Sequence, residues 1–331
     1  MNEQILEMCQ IRNNSLVIYK DFSGFHRKKS AFEKYIAEKR ALMLGVRKER
    51  YSGLITNGVK KRLSKAVNLL VASTLKKVVF SKQLNKYVTH QISFITLTIP
   101  DSTALGAKEL HKKMLEPMIK FLRQVHGMRS YVWKVEYQKR GVLHYHLTSD
   151  CYIDHNDLRK KWNSLLTKNE LNTAYIDAKG HINANSTDIH SVRNIQDLPA
   201  YLVKYMIKSY QNEKSVNGKI WDCSKNLKAA RYYTTEFTGD IEQDVYDLQA
   251  KGVTTIKEFD NFRFVKFNGC SAVYFMPQQV KDAYYSNLRA IREHKIDLFS
   301  QFKVKKKVFV KEVIKPLAQA LQCGKQLYLF N

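Results

Sequence analysis

The sequence is poor in the residues that mark several common classes of protein. It has 5 Pro and 13 Gly in 331 residues, which are too few for a collagen-like or low-complexity chain. Its 5 Cys are scattered without a C-x-x-C pair, which argues against a disulfide framework and against a structural zinc site. No apolar run approaches the roughly 20 residues of a membrane-spanning helix, and the N-terminal residues do not resemble a signal peptide. We therefore expect a soluble, intracellular protein with no membrane partner.

Acidic residues are also scarce, with 30 Asp+Glu against 56 Lys+Arg and a formal net charge of +26. Such a surplus favours a polyanionic partner, and nucleic acid is the first candidate. Residues 1–90 hold 19 of the basic residues and only 6 of the acidic ones, and helical spacing there predicts a basic helical region, with Asn57 as a candidate N-cap. A second basic run lies at 303–307. The chain has no G-x-x-x-x-G-K-[ST] motif, so we expect no ATPase activity.

The middle of the chain shows strand and helix patterns in alternation. Strands are predicted at 92–100, 131–138, 142–148 and 187–192, and helices at 106–126, 157–166 and 198–208. The two central strands are joined by a short turn and form a predicted hairpin. This order indicates an α+β fold with an antiparallel sheet and helices packed on it.

Alternation along the predicted hairpin gives it one apolar face and one polar face. A turn centred on Arg140 places Glu136 directly opposite His144, with His146 on the same face. Two imidazoles and a carboxylate suit a divalent cation that also engages phosphate oxygens. Glu136, His144 and His146 are thus candidate metal ligands, with Gln138 as a supporting or substitute ligand. An ordinary polar strand face is the alternative interpretation.

The last predicted helix separates an aliphatic stripe from a stripe of tyrosine and lysine. Asp197 is a candidate N-cap, and Tyr201, Lys204, Tyr205 and Lys208 share one face at helical spacing. A tyrosine oxygen can attack a phosphodiester, and neighbouring ammonium groups favour both the phenolate and the charge of the transition state. Packing is the ordinary role of such a tyrosine pair, but the aliphatic stripe already supplies it.

Together these features resemble the HUH-endonuclease superfamily, and most closely the rolling-circle replication initiators of single-stranded DNA phages and related plasmids. The segments that carry the resemblance, in the order of the family's motifs, are 94–98, 136–146 and 200–208, followed by 221–227. The resemblance implies an HUH-like central antiparallel sheet in a domain at 91–215. A basic helical region at 1–90 would precede it, and a C-terminal extension at 216–331 would follow it.

The same resemblance implies an enzyme that nicks one DNA strand at an origin and leaves a 3′ hydroxyl as primer. Tyr201 or Tyr205 would become joined to the 5′ phosphate, and Lys204 and Lys208 would contact phosphate. Mg²⁺ or Mn²⁺ would be held by the residues already picked out on the hairpin: Glu136, His144 and His146. The expected setting is the cytoplasm of a bacterial host, with single-stranded origin DNA as substrate and a separate host helicase as partner.

Other functions remain open at this stage. A two-tyrosine transposase would share the same site. A plasmid relaxase fits less well, because its tyrosine usually precedes the histidines and here Tyr201 follows His146. A basic nucleic-acid-binding protein without catalysis is the alternative from a different class.

The C-terminal segment Gln326–Phe330 resembles a bacterial sliding-clamp-binding motif. Leu329 and Phe330 could fill an apolar pocket while Gln326 sets the register by hydrogen bonding. A host sliding clamp is therefore an expected partner. Docking of this apolar stretch on the protein's own core is the alternative.

Overall fold

The computed structural model describes residues 6–21, 53–101, 103, 105–138, 141–191, 197–207 and 216–294. Its strands are β1 (Leu6–Ile11), β2 (Ser15–Asp21), β3 (Lys77–Ser81), β4 (Lys86–His90), β5 (Ser93–Thr98), β6 (Tyr131–Tyr137), β7 (Leu143–Ser149), β8 (Thr187–Ser191), β9 (Trp221–Cys223), β10 (Tyr233–Glu236), β11 (Thr254–Phe259) and β12 (Phe262–Phe267). Its α-helices are α1 (Asn57–Ser73), α2 (Ala107–Leu110), α3 (Glu116–Val125), α4 (His155–Lys168), α5 (Thr173–Lys179), α6 (Leu198–Ile207), α7 (Lys225–Ala229), α8 (Gly239–Ala250) and α9 (Gln278–Arg292). A π-helical turn (His111–Leu115) joins α2 to α3, and a 3₁₀ turn covers Ala272–Phe275.

Two five-stranded antiparallel sheets organise these elements. The central sheet has the order β8-β5-β7-β6-β9, and the terminal sheet has the order β10-β1-β2-β12-β11. Strands β3 and β4 form a separate hairpin. The α+β class and the antiparallel sheet predicted from the sequence are confirmed. The strands and helices predicted between residues 92 and 208 are present, with boundaries shifted by a few residues.

The central sheet is covered on its apolar face by α2, α3 and α4. Strands β5, β6 and β7 direct side chains at alternate positions into this core. Its most buried members include Leu97, Tyr145 and Trp162, each with no more than a trace of exposed surface. The indole nitrogen of Trp162 donates a 2.9 Å hydrogen bond to the carbonyl of Thr98, so the core also fixes the end of β5.

A second core joins the opposite face of the central sheet to α1, α6 and the terminal sheet. Leu63 and Val67 of α1 lie in one buried cluster with Leu202 and Met206 of α6. Helix α1 begins after Thr56, whose hydroxyl accepts a hydrogen bond from the Val59 amide at 3.3 Å. The cap is therefore Thr56 and not Asn57, the residue we predicted from the sequence.

The N-terminal region differs from the expectation of helices throughout residues 1–90. Helix α1 is present as predicted, but β1, β2, β3 and β4 also lie in this region. Strand β1 pairs with β2 and β10, and β2 pairs with β12. Such strands depend on partners more than 200 residues away, which a local pattern does not reveal. The predicted division at 90 and 215 stays a prediction, although the terminal sheet combines strands from the first and third of these regions.

None of the helices that the structure describes is both long and apolar enough to cross a membrane. The four cysteines within the described ranges, Cys9, Cys151, Cys223 and Cys270, are unpaired.

Candidate nuclease site

The hairpin β6–β7 has the register predicted from the sequence. Glu136 pairs with His144 and Lys134 pairs with His146, so all four side chains project from one face of the central sheet. Strand β5 lies next to β7 and contributes Thr96 opposite His146. This polar face is the starting point of the candidate site.

Hydrogen bonds connect the polar side chains on this face. Nε2 of His146 lies 2.8 Å from Oε1 of Glu136. The hydroxyl of Thr98 lies 2.7 Å from Nε2 of His144, and Nε2 of Gln138 donates to Nδ1 of His144 at 2.8 Å. The two imidazole rings are 5.1 Å apart between centroids. Gln138 therefore supports His144, in agreement with the supporting role considered from the sequence.

Lys134 is the unexpected member of this face, because its side chain is only 1% exposed and it forms an ion pair with Glu136. Burial on its own would raise the pKa of the Glu136 carboxyl. The hydrogen bond from His146 and the positive charge of Lys134 outweigh that effect, so the pKa of Glu136 is lowered. The carboxylate is thus held in the charged form that a cation requires.

The donor set fits a divalent cation in chemical type. Two imidazoles and one ionised carboxylate come from adjacent strands, and the hard oxygen donor suits Mg²⁺ or Mn²⁺. Within the described ranges, no three His, Cys, Asp or Glu side chains surround a common point suited to a metal. Nε2 of His146 instead engages Glu136, so metal binding would have to replace that hydrogen bond. The metal site remains a prediction.

Helix α6 carries the predicted tyrosines. Asp197 caps it as expected, because its carboxylate accepts a hydrogen bond from the Ala200 amide at 3.1 Å. The second carboxylate oxygen accepts a 2.9 Å hydrogen bond from the Asn14 side-chain amide in the β1–β2 turn. Leu202 and Met206 are fully buried, whereas Lys204 and Tyr205 are exposed, which matches the two predicted faces.

The two tyrosine rings contact each other, with centroids 4.8 Å apart. A hydrogen bond with Tyr205 raises the pKa of Tyr201, and burial adds slightly to the shift. Tyr205 is 42% exposed, so its phenol is accessible to a large substrate. The two phenols are therefore coupled and are not equivalent.

Phe94 connects the tyrosines to the histidines. Its ring stacks on His146 with centroids 5.6 Å apart, and it contacts the Tyr205 ring at 6.0 Å. The sequence placed the metal motif and the tyrosine helix in separate segments. The structure brings Tyr205 and His146 to either side of one buried aromatic ring.

Two further polar residues share this face and were missed in the sequence. Asp188 pairs with Thr96 and His190 pairs with Phe94 across the β5–β8 ladder, and the two side chains are 2.7 Å apart. Both are mostly exposed. The alternating Asp-Ile-His pattern in a predicted strand was the available signal. Lys208, a predicted phosphate contact, lies outside the described residues, as do Arg140 and the tail Gln326–Phe330.

Residues 92–210 match the family model of the Replication-associated protein ORF2 (gene 2 protein), a family of rolling-circle replication initiators. The match includes the strands β5 to β8 and helix α6, and it therefore contains every site residue predicted from the sequence. It spans just over a third of the chain. None of the curated proteins and none of the solved structures compared with this chain matches it. The family match associates this segment with rolling-circle DNA replication.

Proposed function

We propose that this protein initiates rolling-circle replication by nicking and rejoining single-stranded DNA at an origin through a 5′-phosphotyrosine intermediate. The observation that carries the proposal is the contact chain from Tyr205 through Phe94 to His146. It brings a nucleophile and a cation-binding donor set to one face of the central sheet. The family match at 92–210 supports an initiator over a transposase or a relaxase with similar chemistry.

The first step is attack by a tyrosine on the scissile phosphate. The phenol loses its proton to solvent, its oxygen bonds to phosphorus, and the bond from phosphorus to the 3′ oxygen breaks. The 3′ oxygen takes up a proton and becomes the primer hydroxyl. The exposed Lys204, one turn from Tyr201 on α6, would attract the phosphate.

Glu136, His144 and His146 would hold the divalent cation, which when bound polarises the scissile phosphate. The chain's own groups prepare this donor set. Thr98 and Gln138 orient the His144 ring, and Lys134 keeps the carboxylate of Glu136 charged. Phe94 fixes the ring plane of His146 by stacking.

The second tyrosine explains how a circle would be closed. After one round of synthesis the free tyrosine would attack the regenerated origin, and the released 3′ hydroxyl would attack the first phosphotyrosine. Bonds to phosphorus are exchanged at each step, so no external energy source is needed. The ring contact between Tyr201 and Tyr205 keeps both nucleophiles within reach of one strand.

The proposed partners follow from this chemistry. Origin DNA is the substrate, and a separate helicase would unwind it because the sequence has no P-loop motif. The C-terminal Gln326–Phe330 segment would recruit a host sliding clamp to the primer end.

The test is incubation of the purified protein and Mn²⁺ with single-stranded origin DNA, followed by peptide mapping of the covalent adduct. We expect an adduct on Tyr201 or Tyr205 and none in the Tyr201→Phe/Tyr205→Phe variant. Tyr274→Phe is the matched control, because Tyr274 is 63% exposed and remote in sequence from α6. DNA binding without any adduct in the wild type would identify a non-catalytic binding protein and reject the proposal.

A further inference from the structure

A cleft of about 1080 Å³ lies outside the segment that matches the family model. It is formed by β1, β2, the start of β10 and one side each of α1 and α9. Its volume is at the upper end of the range for small-molecule pockets, and it is open to solvent. The residues that line it belong to the terminal sheet and its covering helices, and not to the candidate nuclease site.

Cations dominate the lining of this cleft. Five basic residues face it and one carboxylate does, that of Asp21; the five are Arg12, Lys60, Lys61, Lys65 and Arg231. In the part of the chain that the structure describes, none of these five forms an ion pair with a carboxylate, whereas cations elsewhere in the fold do. The cleft therefore carries a large excess of positive charge.

The charges are crowded, and one of them is held in a fixed position. Burial and the nearby charge of Arg231 lower the pKa of Lys65. Two hydrogen bonds to Gln10 orient the Arg12 guanidinium, which lies over the Tyr232 ring at 5.1 Å. An anion bound here would relieve the repulsion between the cations and would meet an arginine whose orientation is already set.

Aromatic rings line the same cleft. Tyr19 and Tyr233 are partly exposed in its wall, and Tyr232 is fixed by its hydroxyl, which accepts a hydrogen bond from the Asn68 amide. Cations interleaved with aromatic rings form the surface that binds single-stranded nucleic acid, because phosphates pair with the cations and bases stack on the rings. A lining made only for small anions would not require the tyrosines.

The elements that form the cleft also hold the tyrosine helix. Opposite sides of α1 contribute Lys61 and Lys65 to the cleft and Leu63 and Val67 to the core with α6. The β1–β2 turn, which follows Gln10 and Arg12, provides Asn14 to the N-cap of α6. A strand held in the cleft would therefore be attached to the same rigid elements as the proposed nucleophiles.

We propose that this cleft is a second DNA site that binds single-stranded DNA flanking the nick, through phosphate contacts from α1 and stacking on the tyrosines. The proposal rests on the proposed function for its substrate, but binding in the cleft needs neither cation nor cleavage. The two can therefore fail independently.

The experiment measures binding of a fluorescent oligothymidylate of about 20 nucleotides to the full chain in EDTA, by fluorescence anisotropy over a range of salt concentrations. We expect Lys61→Glu/Lys65→Glu to weaken binding at least tenfold. The slope of log K against log salt should fall by about 1.4, for two lost phosphate contacts. The matched control is Lys257→Glu/Lys266→Glu, which changes the charge equally at exposed positions of β11 and β12 and should weaken binding less than twofold.

Equal weakening by both variants would show a general charge effect and would overturn the proposal. Loss of duplex binding alone, with oligothymidylate binding intact, would overturn it as well. Photocrosslinking with 5-iododeoxyuridine should label peptides containing residues 60–68 or 231–234, and labelling confined to other peptides would contradict it. Thermal unfolding of each variant within a few degrees of wild type excludes misfolding as the cause. Absence of a tyrosine adduct with cleft binding intact would reject only the proposed function.

Discussion

At the scale of single residues, the two tyrosines of α6 differ in their surroundings. Tyr205 contacts Phe94 and is the nearer of the two to the histidine face, whereas the pKa of Tyr201 is raised by its hydrogen bond with Tyr205. We expect Tyr205→Phe to reduce first-strand nicking of origin DNA at least 100-fold, and Tyr201→Phe to leave it within about fivefold. Single-turnover cleavage of a labelled oligonucleotide measures this difference. Tyr201→Phe should instead block the second transfer, scored as circularised product, and a reversed pattern would assign the first attack to Tyr201.

Asp222 illustrates an electrostatic contribution to stability away from the nuclease face. Burial would raise its pKa, but contacts from Lys219 and Lys228 and the Cys223 amide outweigh this effect, so the pKa of Asp222 is lowered. A lowered folded-state pKa stabilises the fold above the unfolded-state value, about 3.9, and the contribution disappears as pH falls through the folded-state pKa.

We therefore expect Asp222→Asn to lower the free energy of unfolding by about 1 kcal/mol at pH 7, the upper range for a largely exposed pair. Urea denaturation at pH 7 and at successively lower pH should show the difference from wild type vanishing in acid. A difference that does not change with pH would mean that the carboxylate's charge is not the cause.

At the scale of elements, the β1–β2 turn positions α6. The Asn14 amide reaches the second oxygen of Asp197, while the first oxygen caps the helix. Asn14→Ala removes the anchor and leaves the cap intact. We expect it to cost about 1 kcal/mol in stability, measured by urea denaturation, and to slow single-turnover nicking. Asn13→Ala in the same turn is the control, and equal effects of both variants would assign the loss to the turn itself.

The sequence predicted the nuclease face well, because its determinants are local. A short turn fixes the register of β6 and β7, and helical spacing separates the two faces of α6. It predicted the burial of Lys134 poorly, since alternation indicates a face but not what covers it, and α1 packs near β6. The strands β1 and β2 were missed because their partners lie beyond residue 232.

At the scale of the whole molecule, α6 shares its core with α1, which precedes the segment matched by the family model. A protein truncated to residues 91–215 would expose the sides of Leu202 and Met206 that α1 covers. We expect it to lack fixed tertiary structure, seen as poor near-ultraviolet circular dichroism, and to have no nicking activity. A truncated protein that is folded and active would show that residues 91–215 form an independent domain.

The terminal sheet also affects how the protein is made. Strand β2 leaves the ribosome early, but its partner β12 ends at Phe267, so at about 5 to 20 residues per second the hairpin waits roughly 12 to 50 s for its neighbour. During that time both edges of β1–β2 are open to pairing with other chains. The β1–β2 turn anchors α6, so the nuclease face becomes complete only after translation has passed Phe267. A nascent chain therefore does not cut DNA while it is still being synthesised.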